Sequence, residues 1–134
     1  MTHEIEVRVY YEDTDLAGIV YYANYLKYIE RGRSELLRTI GIDQGRLREE
    51  AGIVFAVRHL VADYRRPARF DDLLRVVTQN LKFSRSRLTM HQSILRKREL
   101  LFSADCVLVC LHQSGQAARI PQQLYCVFEA AGSE

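Results

Sequence analysis

Three carboxylates and a glycine fall within seven residues of this sequence: Glu12, Asp13, Asp15 and Gly18. They lie where two kinds of hydrophobic periodicity meet. Before them, Ile5, Val7, Val9 and Tyr11 alternate with Glu4, Glu6, Arg8 and Tyr10, the pattern of a strand with one buried face. After them, Tyr25, Tyr28 or Ile29, Leu36 or Leu37, and Ile40 recur at helical spacing. A strand therefore runs through an acidic turn into the start of an amphipathic helix. The first N–H groups of a helix lack partners and lie at its positive dipole end, so they polarise a carbonyl brought against them. A carboxylate beside that point can attack the carbonyl or activate water. Asp15 is the candidate for this task. A turn-capping role accounts for it equally well on residue type alone.

The remaining elements must position this stretch. The helix is expected from about Asn24 to Ile40, closed by Gly41 as a left-handed cap. Lys27, Arg31, Glu35 and Arg38 form its outer face. Gly32 inside it costs up to about 1 kcal/mol against alanine, which points to a close backbone approach to a sheet. A second helix is expected from Asp43, a plausible N-cap, to Ala51, ending before Gly52. Strands follow at Ile53 to Arg65, Leu73 to Phe83, Arg87 to Leu95 and Leu101 to Leu111. Arg66-Pro67-Ala68-Arg69 breaks the first pair, and Arg96-Lys97-Arg98-Glu99 reads as a hairpin turn. The last strand is nearly continuous in apolar residues, which predicts a central strand covered on both faces. A short helix is expected after Pro121. This order is α+β, with the sheet wrapped around the long helix. Open sheet edges favour pairing with further copies, so a homodimer or homotetramer is expected.

Composition sets outer bounds. The 134 residues make a single domain, 1–134, able to bury a core without staples. A formal net charge of +2 is too small to argue for nucleic acid. Met1 to Glu6 lacks the basic and apolar regions of a secretory signal, and no run approaches the roughly 20 apolar residues of a membrane span. A cytoplasmic protein without membrane insertion is the expectation. The cysteines are Cys106, Cys110 and Cys126, an odd number without framework spacing. Cys106 and Cys110 share a strand face and read as buried thiols. His3, His59, His91 and His112 are scattered, so no metal site is expected, and no nucleophile-elbow motif occurs.

Val9-Tyr10-Tyr11-Glu12-Asp13-Thr14-Asp15, with Gly18-Ile19-Val20-Tyr21-Tyr22, Asn24-Tyr25-Leu26 and Glu30-Arg31, resembles the hotdog-fold acyl-CoA thioesterases of the 4-hydroxybenzoyl-CoA thioesterase family. The Tol-Pal-associated branch is the most similar. Tyr64, Pro67-Ala68-Arg69, Asp71-Asp72, Arg119 and Pro121 extend the likeness over nearly the whole chain. The resemblance implies a long central helix wrapped by a five-stranded antiparallel sheet, assembled as dimers or tetramers. It implies hydrolysis of an acyl-CoA thioester to a carboxylic acid and free CoA. No cofactor is implied, since CoA belongs to the substrate. The last carboxylate of the acidic turn is the family's catalytic group, here Asp15. The Tol-Pal branch usually carries histidine where this chain has Tyr22; the 4-hydroxybenzoyl-CoA enzymes are similar to it in having tyrosine there.

The same likeness places an oxyanion contact on the backbone of Ile19 to Tyr22, with the Tyr22 N–H as the donor to name. Such a donor contributes a few kcal/mol in a transition state. Gly18 either allows close substrate approach or supplies a turn with positive φ. Tyr11 and Tyr22 either line an acyl pocket, with Ile19 and Val20 beside them, or pack in the core. CoA phosphates call for arginines near the pocket mouth. Arg85 and Arg87 are the candidates, with Arg65, Arg66 and Arg69 around Pro67; plain solvated turn residues are the bland alternative. Two other readings stand beside the enzyme. One is a catalytically silent acyl-thioester-binding or partner-docking module linked to an envelope or lipid-synthesis complex. The other is a hotdog dehydratase, disfavoured because no histidine lies near the acidic turn.

Overall fold

The computed structural model describes residues 1–132. The N-terminal alternation becomes β1 (Thr2–Arg8), with Val7 and the following Val9 buried and Glu4, Glu6 and Arg8 outward or part-exposed. The strand stops earlier than the alternation suggests. Tyr11 opens a short 3-10 turn, Tyr11–Asp13, and is 83% exposed rather than on the buried face. The reason is local: the Asp13 carboxylate accepts the Tyr10 N–H at 2.8 Å, folding the backbone out of the extended form.

The long helix α1 (Asn24–Thr39) buries Tyr25, Tyr28, Ile29, Gly32, Leu36 and Leu37, one stripe at helical spacing. Gly41, at φ +94°, follows its end. Helix α2 (Gln44–Ala51) is capped by Asp43, which accepts the Arg46 N–H at 3.1 Å, and ends at Gly52 with φ +66°. The remaining strands are β2 (Ile53–Tyr64), β3 (Leu73–Phe83), β4 (Arg87–Arg96) and β5 (Glu99–His112), and a terminal helix α3 spans Tyr125–Gly132. All pairings are antiparallel in the order β1-β3-β4-β5-β2, giving the five-stranded sheet expected.

α1 lies against one face of the sheet, over β1, β3 and β4. Gly32 touches that face: a Cβ there would come 2.8 Å from the Val76 side chain and 3.2 Å from that of Gln92. Gln92 is fully buried, donating from its amide to the Ile29 carbonyl at 2.8 Å and to the Thr78 hydroxyl at 2.9 Å. Arg33 closes the set by donating to Gln92 Oε1 at 3.1 Å. This polar layer separates two apolar clusters. One gathers Leu36, Leu37, Leu88, Met90 and Phe128; the other gathers Val9, Val20, Tyr25, Ala68, Leu101 and Phe102 around the acidic turn. β5 differs from expectation. Leu101, Phe102, Ala104, Cys106, Leu108 and Cys110 are buried, but Ser103, Val107 and Val109 are only part-covered and Asp105 is exposed. Its apolar run reflects one core face and one outer face of valines, not two covered faces.

Candidate active site

The acidic turn is built from backbone and short-range side-chain hydrogen bonds together. Asp15 N–H donates to the Ile19 carbonyl at 2.9 Å and Gly18 N–H to the Asp15 carbonyl at 3.0 Å. Gly18 sits at φ +80°, the conformation this reversal requires and a side chain resists. Thr14 and Val20 then pair as an antiparallel bridge, and so do Ile19 and Arg69. The loop Leu16–Gly18 is thereby pushed into solvent, with Leu16 fully exposed. Asp15 stands at the neck of this loop. One oxygen, Oδ1, accepts the Ala17 N–H at 2.9 Å, which is the capping role considered from the sequence. A carboxylate has acceptor capacity well beyond one bond, so the cap holds Asp15 in place without using it up.

Tyr22 lies between this turn and α1. The Tyr21 carbonyl accepts the Asn24 N–H at 2.9 Å, so it faces along the helix. The peptide is planar and trans, which turns the Tyr22 N–H the opposite way, out of the helix start. Among the described residues that N–H has no acceptor. The N-cap is Ala23, which offers no side chain to the orphan donors, and the first turn holds no acidic residue. The helix start is therefore left able to take a ligand oxygen.

Several residues not singled out for the site hold it together. Asn24 donates from Nδ2 to the Asp13 carbonyl at 2.9 Å, which also accepts the Tyr21 N–H at 3.0 Å. Ala68, fully buried, takes the Val20 N–H on its carbonyl at 2.9 Å and gives its own N–H to the Tyr25 hydroxyl at 2.9 Å. The Tyr64 hydroxyl donates to the Tyr22 carbonyl at 3.0 Å. Tyr25 stacks on Phe102 with centroids 5.3 Å apart and meets Tyr64 edge-on at 5.4 Å. Burial raises the phenol pKa of Tyr25, and of Tyr28 even more, where the nearby Asp13 carboxylate adds to it. Proline and aspartate at 67 and 72 marked a turn in the sequence; nothing local said that this turn would reach the helix start.

Tyr11 and Tyr22 both face solvent in the single chain, Tyr22 at 61% exposure. Ile19 is half-buried. Val20 is a correction: its side chain is in the core and its N–H is bonded to Ala68, so it closes the turn instead of offering a substrate contact. Arg85 and Arg87 stand apart from the turn within one chain. They lie beyond the far end of β3, whereas Arg69, paired with Ile19, lies before its start. A strand of that length spans on the order of 30 Å, so one chain does not bring these arginines to Asp15. A groove beside the turn, lined by Glu6, Arg8, Tyr10, Glu12, Asp13, Arg31 and Glu35, is too rich in carboxylates to seat phosphates. Among the described residues no group of His, Cys, Asp or Glu is placed to hold a metal, and no helix is long and apolar enough to cross a membrane.

A long helix laid across an antiparallel sheet, with an acidic turn at an open helix start, defines a hotdog-type thioesterase framework. The chain belongs to the thioesterase-like superfamily, whose model matches residues 9–128. It is 41% identical over 105 residues to an acyl-CoA thioesterase, YbgC, of Haemophilus influenzae, covering 78% of this chain and 77% of that protein. A solved probable thioesterase from Bartonella henselae superposes with a TM-score of 0.85 at 36% identity, covering 90% of this chain and all of that one. A 4-hydroxybenzoyl-CoA thioesterase solved with 4-hydroxybenzoyl-CoA shares the fold, with a TM-score of 0.87 at 22% identity over 94% of this chain and 97% of that one.

Proposed function

We propose that the protein hydrolyses acyl-CoA thioesters to a carboxylic acid and free CoA at the acidic turn. The observation that carries the site is the unengaged Tyr22 N–H at the uncapped start of α1, with Asp15 held at the neck of the adjoining loop. The thioester oxygen would rest on that N–H, where negative charge grows as the carbonyl carbon becomes tetrahedral. Asp15 attacks that carbon or takes the proton of the attacking water. The C–S bond then breaks, and CoA leaves as a thiolate that takes up a proton; where Asp15 itself has attacked, water cleaves the resulting mixed anhydride, releasing the acid and restoring the carboxylate. Histidine in place of tyrosine at position 22 would leave this donor unchanged, because the contact is made by the backbone.

Within the superfamily we assign the chain to the Tol-Pal-associated branch, on the motifs from Val9 to Arg31 and the YbgC likeness, with Tyr22 as the departure from that branch. We also read it as a homodimer or homotetramer acting in the cytoplasm. What supports assembly is the skin of exposed apolar residues around the turn: Leu16, Tyr21, Tyr22, Tyr64 and Phe70. Arg85 and Arg87 can then serve CoA phosphates only where the hairpin of another copy reaches this turn.

The test is release of CoA from short, long and aromatic acyl-CoAs, followed by thioester absorbance, with wild type and Asp15→Asn side by side. Turnover lost in the variant, with circular dichroism unchanged, supports the site. Equal turnover in both moves the chemistry off Asp15. Wild-type binding of acyl-CoA without turnover would favour the silent binding module.

A further inference from the structure

Arg96, at the end of β4, has no hydrogen bond to Asp15 or the helix start, yet it binds the turn 67–72 that packs against both Val20 and Tyr25. Its Nη1 donates to Asp72 Oδ2 at 2.8 Å and to the Pro67 carbonyl at 3.3 Å, while Nη2 pairs with Glu99. Asp72 Oδ2 also accepts the Arg69 N–H at 2.8 Å, so the turn 67–72 is clamped at both ends by one guanidinium. Arg66 binds the other oxygen of Glu99 at 2.9 Å and holds that carboxylate in line. Inside the clamped turn lies Ala68. Its carbonyl fixes Val20 and its N–H fixes Tyr25, the residues flanking Tyr22 on either side.

We propose that Arg96 is a positioning residue for thioester hydrolysis, acting through Asp72 and Ala68 to set the direction of the Tyr22 N–H. The inference rests on the reading of Asp15 and Tyr22 given above. A guanidinium suits the role because its fixed fork serves a carbonyl and two carboxylates at once; an ammonium is a single point charge. Arg96 and Asp72 are both mostly shielded from water, with side chains 28% and 22% exposed, which limits screening of their pair. Ala68 is fully buried and Val20 nearly so, leaving the intervening chain no slack to absorb a shift. A movement of the 67–72 turn would be passed to the backbone on both sides of Tyr22.

Arg96 touches no part of the proposed substrate site, so its loss should appear in the chemical step and not in binding. The double variant Arg96→Met/Asp72→Asn removes both charges and avoids a stranded carboxylate. It should lower kcat per folded molecule by about 10- to 100-fold, the effect of misplacing a catalytic group by a fraction of an ångström to about 1 Å. KM should stay within about threefold, because uniform binding is untouched. Arg96→Lys, which keeps the charge and the fold, should fall between wild type and the double variant. These measurements use the full chain with an acyl-CoA that wild type hydrolyses, corrected for folded fraction by circular dichroism, with Asp15→Asn as reference. An Asp15→Asn variant without turnover, combined with wild-type kcat in both Arg96 variants, overturns this inference alone. A loss seen only in KM, or only in folded fraction, overturns it as well. Full turnover in Asp15→Asn overturns the underlying site reading, a different result.

Discussion

Asn24 donates its side-chain amide to the main-chain carbonyl of Asp13 at 2.9 Å, tying the first residue of α1 to the acidic turn across eleven positions of sequence. The same carbonyl receives the Tyr21 N–H, so one oxygen fixes the spacing between the carboxylate loop and the helix start. Asp15 and the Tyr22 N–H, the two groups proposed to act on the thioester, both lie within that span.

Removing this tie should cost activity more than stability. Asn24→Ala deletes one half-buried hydrogen bond, worth about 1 kcal/mol to the fold. The loss of registration at the Tyr22 N–H should lower kcat by about 10-fold, within the range of a misaligned oxyanion donor. Asn24→Asp should be worse, since it sets a carboxylate against the Asp13 carbonyl and beside the proposed oxyanion. Steady-state kinetics at matched folded fraction checks both; equal kcat in Asn24→Ala and wild type would remove Asn24 from the site's architecture.

Gly32 gives a stability prediction in which two effects oppose. Alanine gains up to about 1 kcal/mol of helix propensity over glycine. Its Cβ, however, would lie 2.8 Å from Val76 Cγ1, 3.2 Å from Gln92 Nε2 and 3.3 Å from Thr78 Oγ1. Val76, Gln92 and Thr78 are essentially unexposed, and Gln92 is held by hydrogen bonds to Ile29, Thr78 and Arg33, so none can yield cheaply. Overpacking of this kind costs about 1–3 kcal/mol, and it should prevail. Gly32→Ala is expected to be destabilised by about 1 kcal/mol in urea unfolding, and a stabilised variant would show that α1 does not approach the sheet as closely as described.

Local signals carried most of the framework. The period of the Tyr25-to-Leu37 stripe, the Asp43 and Gly52 caps, and the alternation through β3 and β4 each state an element in a few neighbouring residues. Gly32 even announced its contact with the sheet, though not with which side chains. The signal failed where a competing bond lay inside the pattern. Tyr11 continues the β1 alternation in sequence, but the Asp13 carboxylate takes the Tyr10 N–H and ends the strand. Val20 resembled its neighbours as a pocket residue until Ala68, forty-eight positions later, engaged its N–H. Arg85 and Arg87 were read by charge and by their place at the strand break, and neither says which copy's turn they approach. Arg96 was read as part of a plain hairpin turn, because its partners Pro67 and Asp72 become neighbours only when β3 pairs with β4. The turn-capping role of Asp15 was legible; what holds the neighbouring helix start was not.

Alkaline pH should weaken the fold through Cys110. Burial pushes this thiol up from its ordinary value of 9.0 to about 11. In the unfolded chain the thiol deprotonates first, so the unfolded state binds fewer protons and gains on the folded one as pH rises. The contribution is full below about 9 and is lost as pH climbs through about 11, amounting to about 3 kcal/mol at most. Urea midpoints at about pH 8 and about pH 10.5 should differ less in Cys110→Ala than in wild type, even though the variant starts lower. An identical drop in both proteins would assign the alkaline loss to other groups, the buried thiol of Cys106 and the raised phenols of Tyr25 and Tyr28 among them.

The apolar skin around the acidic turn makes a prediction about assembly. Leu16, Tyr22 and Phe70 are each more than half exposed in the single chain, and they border the proposed reacting groups. A site that must exclude water from a thioester gains little from three apolar side chains left in solvent, whereas a second copy laid over them would desolvate both partners. Phe70→Asp sets a charge in that face, where burying it unpaired would cost several kcal/mol, enough to dissociate an interface of ordinary strength. Phe70 holds none of the hydrogen bonds described in the turn, so the fold of each chain should survive. Light scattering on a sizing column should show wild type as a dimer or tetramer and Phe70→Asp as a smaller species at equal concentration. Turnover should fall with it, and should recover in part as protein concentration is raised, because mass action restores the pair. A variant of wild-type size and wild-type turnover would place the contact between copies elsewhere on the sheet.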